Sequence, residues 1–232
     1  MIGIFDSGLG GLTAYKELHA LLPAGDFVYF GDTGRVPYGS RSREILTRYA
    51  RQDIRFLLRQ GADVILAACG TVSSVVLDDI KSDFSIPLFG VVDASVNAAL
   101  AATKNEKIGV IGTGATISSG AFAKKIAAAN PHAAVTSIAC PLFVPLVENG
   151  YIGRGCTVTR EVAADYLAPL RDEGIDTLIL GCTHFPIIAD IIGDLLPGVT
   201  LVNSGAAAAA EVAAVCGKTS GSGSASFFVS DS

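Results

Sequence analysis

The sequence has no apolar run as long as the roughly 18 residues a bilayer span needs, so membrane insertion is not expected. It opens with no charged region and cleavable apolar segment, because Met1 leads straight into Ile2-Gly3-Ile4-Phe5. A cytoplasmic protein is therefore expected. Its five cysteines form no close pairs and no zinc-type spacing, which predicts reduced thiols rather than a disulfide framework. Histidine is scarce at three residues, and His184 beside Cys182 is not a metal-ligand set. Positive charge is also in deficit. The net charge of −5, with no basic module, argues against nucleic acid as the main partner. Asp6-Ser7-Gly8-Leu9-Gly10-Gly11 is not a dinucleotide fingerprint, since Thr13 holds the last glycine position. Gly217-Lys218-Thr219 is not a phosphate loop, because Val212 stands where the leading glycine belongs. No lysine sits in an anchoring motif for pyridoxal phosphate, and no cofactor is expected.

What the sequence does hold is apolar strands alternating with helical patterns. Half of its 232 residues are hydrophobic, enough for one large domain or two small ones. Residues 176–180 read as a buried strand that ends in Gly181-Cys182-Thr183-His184-Phe185-Pro186, with a helix to about 196. Residues 63–68 read the same way and end in Cys69-Gly70-Thr71, with a helix over 73–82. Strand ends in α/β sheets face ligands, and the amides of a helix start favour thiolate over thiol. The surroundings repeat elsewhere too. Strand, Gly-rich loop and helix run through 2–22 and again from 107 onward, at nearly the same offset as the two cysteines. The chain is therefore expected to form two related α/β units. Residues 1–95 with 206–232 carry Cys69, and residues 96–205 carry Cys182.

Between these landmarks, 26–30 reads as a strand and 31–40 as a loop suited to binding groups, with Tyr38-Gly39 offering an approachable amide. Residues 42–60 read as a helix whose Arg48, Arg51, Arg55 and Arg59 form a solvated stripe. Strands at 86–92, 199–202 and 227–229 follow, with helices at 93–103, 157–171 and 206–215. Residues 141–150 form a loop or short helix, and 217–226 a flexible loop. Gly10 and Gly11 are read as turn formers alone.

A single cysteine at a strand end is usually a small buried hydrophobe, and Cys140, Cys156 and Cys216 fit that description. Cys69 and Cys182 differ because their settings repeat. Facing each other across a cleft, one thiolate can take a proton from a carbon acid while the other thiol delivers one to the opposite face. The stereocentre then inverts. Asp6 and Ser7 at a strand end point into such a cleft. Thr hydroxyls, Ser7 and the amides after each cysteine are candidates to stabilise the carbanion. His184 is placed to tune Cys182.

These residues resemble those of the glutamate racemase family, within the aspartate/glutamate racemase superfamily. The matching pieces are residues 5–11, Gly31-Asp32-Thr33 with Arg35-Val36-Pro37-Tyr38-Gly39, the Cys69 segment, Ile111-Gly112-Thr113 with Ala115-Thr116, and residues 181–186. The resemblance implies a cofactor-independent racemase that supplies D-glutamate for peptidoglycan. It implies two flavodoxin-like α/β domains, each a mainly parallel sheet flanked by helices, in pseudo-twofold relation around a cleft. It also implies a homodimer. On this resemblance Cys69 works on D-glutamate with support from Asp6, and Cys182 on the L-isomer with support from His184 and Glu148. Asp6, Ser7, Tyr38, Gly39, Thr71, Thr116, Thr183 and His184 would hold the substrate, with the Gly70 amide. Three departures stand out. Cys69-Gly70-Thr71 replaces a usual Cys-Asn-Thr, Asp93-Ala94 replaces a usual Glu-Pro, and relatives usually continue into a further helix. The missing Asn leaves aspartate or another amino acid open as substrate, and a catalytically silent binding protein is the remaining alternative.

Overall fold

Strands rich in Ile, Val, Leu and Phe and buried on both faces favour parallel sheets covered by helices, and the computed structural model has two of them. It describes residues 1–217 and 221–231. In the first sheet β1 (Ile2–Asp6), β2 (Phe27–Gly31), β3 (Val64–Ala67) and β4 (Leu88–Gly90) lie in the order β4-β3-β1-β2. In the second, β5 (Lys107–Gly112), β6 (Ala134–Ala139), β7 (Thr177–Leu180) and β8 (Thr200–Asn203) lie in the order β6-β5-β7-β8. Every pairing is parallel. A last strand, β9 (Ala225–Val229), adds to the first sheet beside β2. Each sheet thus begins in the middle, steps to one side, and returns to the other. In the first sheet that reversal falls between β1 and β3, in the second between β5 and β7. Doubly wound sheets bind ligands at such points, outside the carboxyl ends of the strands.

The helices of the first unit are α1 (Leu12–Leu21), α2 (Arg43–Arg59), α3 (Gly70–Val75) and α4 (Leu77–Ile80), followed by α5 (Val91–Ala102). Ser42 caps α2 by accepting from the Ile45 amide, and Leu46, Ala50, Asp53, Ile54 and Leu57 form its buried face. The arginine stripe lies on the opposite side, where Arg51 pairs with Asp83. The second unit carries α6 (Gly114–Ser119), α7 (Ala121–Ala129), α8 (Phe143–Glu148), α9 (Thr157–Asp172) and α10 (Ala189–Leu195). Asn203 then accepts from the Gly205 and Ala206 amides and caps α11 (Ser204–Cys216), which packs on α1 and α5. The expected boundary at 95/96 falls inside α5. Its Val91 and Ala94 belong to a core with β1, while Val92, Val96 and Ala99 belong to a core with β5.

Several sequence expectations are corrected. The helix placed at 73–82 starts at Gly70 and is interrupted at Val76. The strand placed at 86–92 is Leu88–Gly90, because Val91 already opens α5. After Cys182 a tight 3-10 turn, Phe185–Ile188, precedes α10. The strand β6 was not expected. Its Ala-Val-Thr-Ser-Ile-Ala sequence is half-buried, with weak apolar patterning. Within the loop expected at 217–226, residues 218–220 lie outside the described residues. The remainder is tied down, since Ser222 and Ser224 bond Asp26 and hold its carboxyl well below the usual range. Among the described residues no helix is long and apolar enough to cross a membrane.

Candidate active site

Both cysteines that the sequence singles out stand at the reversal points. Cys69 follows β3 and occupies the N-terminal cap position of α3, and Cys182 follows β7 three residues before the first residue of the 3-10 turn. The two thiol-bearing loops touch through their backbones: a Cβ at residue 70 would lie 2.1 Å from the Gly181 carbonyl oxygen. Both cysteines line a single cavity of about 400 Å³ between the two units, a size suited to a small ligand.

The free amides expected to favour thiolates do not prevail. Burial pushes the Cys69 thiol up to about 12, with the Asp6 charge adding to it, while the Val72 amide, the Ser7 hydroxyl and the Thr71 amide oppose. Burial likewise raises Cys182 strongly against the pull of the His184 amide, and the charges of Asp6, Cys69 and Glu148 push the same way. Helix α3 is too short for its amides to offset the cost of burial. Burial thus favours the thiol form of both groups.

Asp6 ends β1 and is fully buried, so it stands behind the cavity wall rather than pointing into the cleft. Its carboxylate accepts from the Gly8 amide at 3.0 Å and approaches the Thr183 hydroxyl at 3.4 Å. Burial raises its pKa, and His184 is the main opposing charge. His184 is almost wholly buried. Its Nδ1 is 3.8 Å from Cys182 Sγ and its Nε2 is 3.2 Å from Glu148 Oε1, at the end of α8. Cys182, His184 and Glu148 therefore form a relay that opens at the cavity.

Ser7, Tyr38, Gly39, Gly70, Thr71, Thr183, His184 and Glu148 also line the cavity. Thr116 does not. It is buried behind the wall, and its hydroxyl meets that of Thr113 at 3.0 Å. The lining hydroxyl is Thr113 itself, which meets Thr71 at 2.9 Å across the two units. No local sequence pattern points to Thr113, because its partnership with Thr71 is long-range. Gly39 lines the cavity and also packs closely on the second unit. A Cβ there would lie 2.8 Å from the Thr113 Cβ, and its carbonyl accepts from the Ala115 amide at 3.1 Å. Gly10 is more than a turn former, since a Cβ there would meet Thr183 Oγ1 at 2.5 Å and His184 Cε1 at 2.6 Å. Sequence reasoning also missed Cys140, Val144 and Asn149 as lining residues. Cys140 is a buried thiol pushed up to about 12 by desolvation. Among the described residues no group of three or more His, Cys, Asp or Glu could hold a metal ion.

Two thiols and a ring of hydroxyls around one cavity are equipped for proton transfer at carbon. Known proteins agree with that chemistry. The family profile of Asp/Glu/Hydantoin racemases matches residues 16–212. Glutamate racemase of Geobacter metallireducens is 44% identical over 237 residues, which is 99% of this chain and 87% of that protein. Among solved structures, a glutamate racemase isoform of Bacillus anthracis superposes with a TM-score of 0.94 at 34% identity, over 100% of this chain and 89% of that one. Glutamate racemase of Francisella tularensis, solved with D-glutamate, gives a TM-score of 0.91 at 37% identity, over 100% of this chain and 88% of that one. With a profile match across most of its length and relatives aligned nearly end to end, the chain belongs to the Asp/Glu/Hydantoin racemase family.

Proposed function

We infer that the protein interconverts L- and D-glutamate without a cofactor and supplies D-glutamate for peptidoglycan. The observation that carries this reading is that Cys69 and Cys182, at equivalent points of two like-ordered sheets, open on one cavity. The substrate's ammonium group brings positive charge beside two thiols that burial keeps neutral, which favours loss of a thiol proton. Starting from D-glutamate, Cys69 gives up its proton towards Asp6, whose raised pKa makes it a better acceptor than a surface carboxylate. The thiolate then takes the Cα proton. Cys182 donates its own proton to the opposite face, ends as thiolate, and the L-isomer leaves. In the other direction His184 takes the Cys182 proton and Glu148 holds the resulting positive charge. Hydroxyls of Thr71, Thr113 and Thr183 and the backbone around Gly70 stabilise the carbanion. Ser7 and Gly39 complete the wall. Residues 1–95 with 206–232 and residues 96–205 form the two units of each chain, and two chains form a cytoplasmic homodimer, in keeping with the family resemblance.

Incubation with L-glutamate in D₂O tests the reading directly. D-Glutamate carrying deuterium at Cα is expected, and Cys69→Ser or Cys182→Ser is expected to lower turnover by at least about 10³-fold, as loss of an acid or base does. Racemisation that survives either substitution overturns the two-thiol mechanism. Faster turnover of aspartate than of glutamate overturns the substrate.

A further inference from the structure

Behind the Tyr38 wall of the cavity lies a buried carboxylate pair that the proposed reaction does not use. Asp32 and Asp53 are 0% and 1% exposed. The Tyr38 hydroxyl sits between them, in very short contact with Asp32 Oδ2 and 3.0 Å from Asp53 Oδ2. Arg35 reaches both, with Nε 2.5 Å from Asp32 Oδ2 and Nη2 2.9 Å from Asp53 Oδ1. A phenol has one hydrogen. If Tyr38 donates it to Asp32, the contact with Asp53 is attractive when Asp53 itself carries a proton and donates it to the phenol oxygen. Charge leads to the same result, because one guanidinium cannot neutralise two buried carboxylates. Among the described residues Asp32 Oδ1 has no hydrogen-bond partner, so no neighbouring side chain supplies a second donor to the cluster.

We propose that Asp53 is a positioning residue that holds a proton in the chain Asp53–Tyr38–Asp32, and that this proton keeps the 36–40 loop seated as a wall of the glutamate site. The loop is pinned at two points. One is the Tyr38 hydroxyl on the carboxyl pair, and the other is the Gly39 carbonyl, which accepts from Ala115 of the second unit. Val36, Pro37, Tyr38, Gly39 and Ser40 between them face the cavity. Losing the proton puts two carboxylates against one hydroxyl and one guanidinium, and releases the first pin.

The titration is supported by its surroundings. Burial and the Asp32 charge push Asp53 up to about 7, against Arg35 and the Tyr38 hydroxyl. The charged and titratable groups facing Asp53 are Asp32, Arg35 and Tyr38, all from the connection after β2. Tyr49 on α2 lies under the Arg35 guanidinium, 4.2 Å from it, and Arg48 lies over the same ring at 5.5 Å. Gln52 accepts from Arg35 Nη1 at 2.5 Å. Beyond β9, Asp231 meets Thr33 of the same connection. The strands packed under α2 present Phe5, Val28, Phe30 and Ile65, and Cys69 at the start of α3 joins that core.

The inference rests on the racemase reading, and its test separates the two. For the wild type, KM for glutamate is expected to rise as pH climbs through about 7, by up to about tenfold per pH unit, with kcat changing less. Asp53→Asn keeps a donor towards Tyr38 and an acceptor for Arg35. It is expected to fold, to racemise glutamate and to lack that rise. Tyr38→Phe removes the link and is expected to show a raised KM at every pH. Isotope-edited infrared spectra supply a readout independent of turnover. A protonated-carboxyl band that fades through the same pH range is expected in wild type and not in Asp53→Asn. A variant profile that superimposes on the wild type, or no such band in the wild type, overturns the proposal. If Asp53→Asn does not fold, a Tyr38→Phe KM equal to wild type at low pH overturns it. No racemisation by the wild type at any pH instead sinks the parent reading.

Discussion

Cys69 and Cys182, to which the proposed reaction assigns the acid–base work, are held as thiols because burial removes what stabilises a thiolate. With Cys69 pushed up to about 12, the thiol form dominates at pH 7. The ordinary thiol range lies lower, so the sign is clear: the reactive form appears only as pH rises. Alkylation of Cys69 in the ligand-free protein is therefore expected to be slow at pH 7 and to accelerate about tenfold per pH unit without levelling off below pH 10. Mass spectrometry of iodoacetamide-treated protein measures this. A plateau near pH 7 would mean that the amides of Val72 and Thr71 win over burial.

The two loops carrying these thiols depend on a single glycine contact between elements. A Cβ at residue 70, at the start of α3, meets the Gly181 carbonyl oxygen at 2.1 Å, and neither partner is a flexible side chain. Gly70→Ala is expected to push the loops apart, costing about 1–3 kcal/mol of stability and at least about tenfold in kcat/KM. Gly70→Asn, which supplies the side chain that the family resemblance implies at this position, is expected to do worse rather than better. The control is Gly193→Ala in α10, where the nearest neighbour is Leu201 Cδ1 at 3.8 Å and a gain of about 0.5–1 kcal/mol is expected. Thermal melts and steady-state kinetics on the three variants decide it, and unchanged kinetics in Gly70→Ala would refute it. How far sequence alone reaches is visible at the same elements. Strands β1, β3 and β7 and the buried face of α2 are legible because apolar periodicity is local. The repeated strand–Cys–Thr segments are legible for the same reason. Strand β6 is hidden by its half-exposed, small and polar residues. The roles of Gly70, Gly10 and Thr113 are hidden because they arise from partners more than 40 residues away. The Asp32–Tyr38–Asp53 cluster is hidden likewise, since α2 is brought onto the loop by tertiary packing.

At the scale of the molecule, the cavity exists only while the two units stay together, and the contacts that join them lie on more than one side. Around the thiols these are Thr71 with Thr113, Gly39 with Ala115, and the Thr13 hydroxyl with the Thr183 carbonyl at 3.0 Å. Elsewhere Lys125 of α7 forms a bridge. Its Nζ lies 2.9 Å from Asp78 Oδ2 on α4 and 2.6 Å from Asp93 Oδ1 on α5, the helix that passes between the units. Asp93 is also where the chain departs from the usual Glu-Pro, and the ion pair gives that departure a structural partner. All three side chains are partly exposed, so each pair contributes no more than about 0.2–1 kcal/mol and is screened by salt. Lys125→Met keeps the length and apolar stem and removes the charge. Asp78 retains Lys81 at 2.7 Å, so the loss falls mainly on the link to Asp93. The variant is expected to melt slightly earlier than wild type and to bind glutamate a few-fold more weakly in dilute buffer. As ionic strength rises, the wild-type KM is expected to approach that of the variant, because screening does to the bridge what the substitution does. Glutamate is itself charged and its binding weakens with salt in both proteins, so the quantity to measure is the ratio of the two KM values. A ratio that stays constant from low to high salt would show that the bridge does not couple to the cavity, and that the hydroxyl and backbone contacts around the thiols hold the units together by themselves.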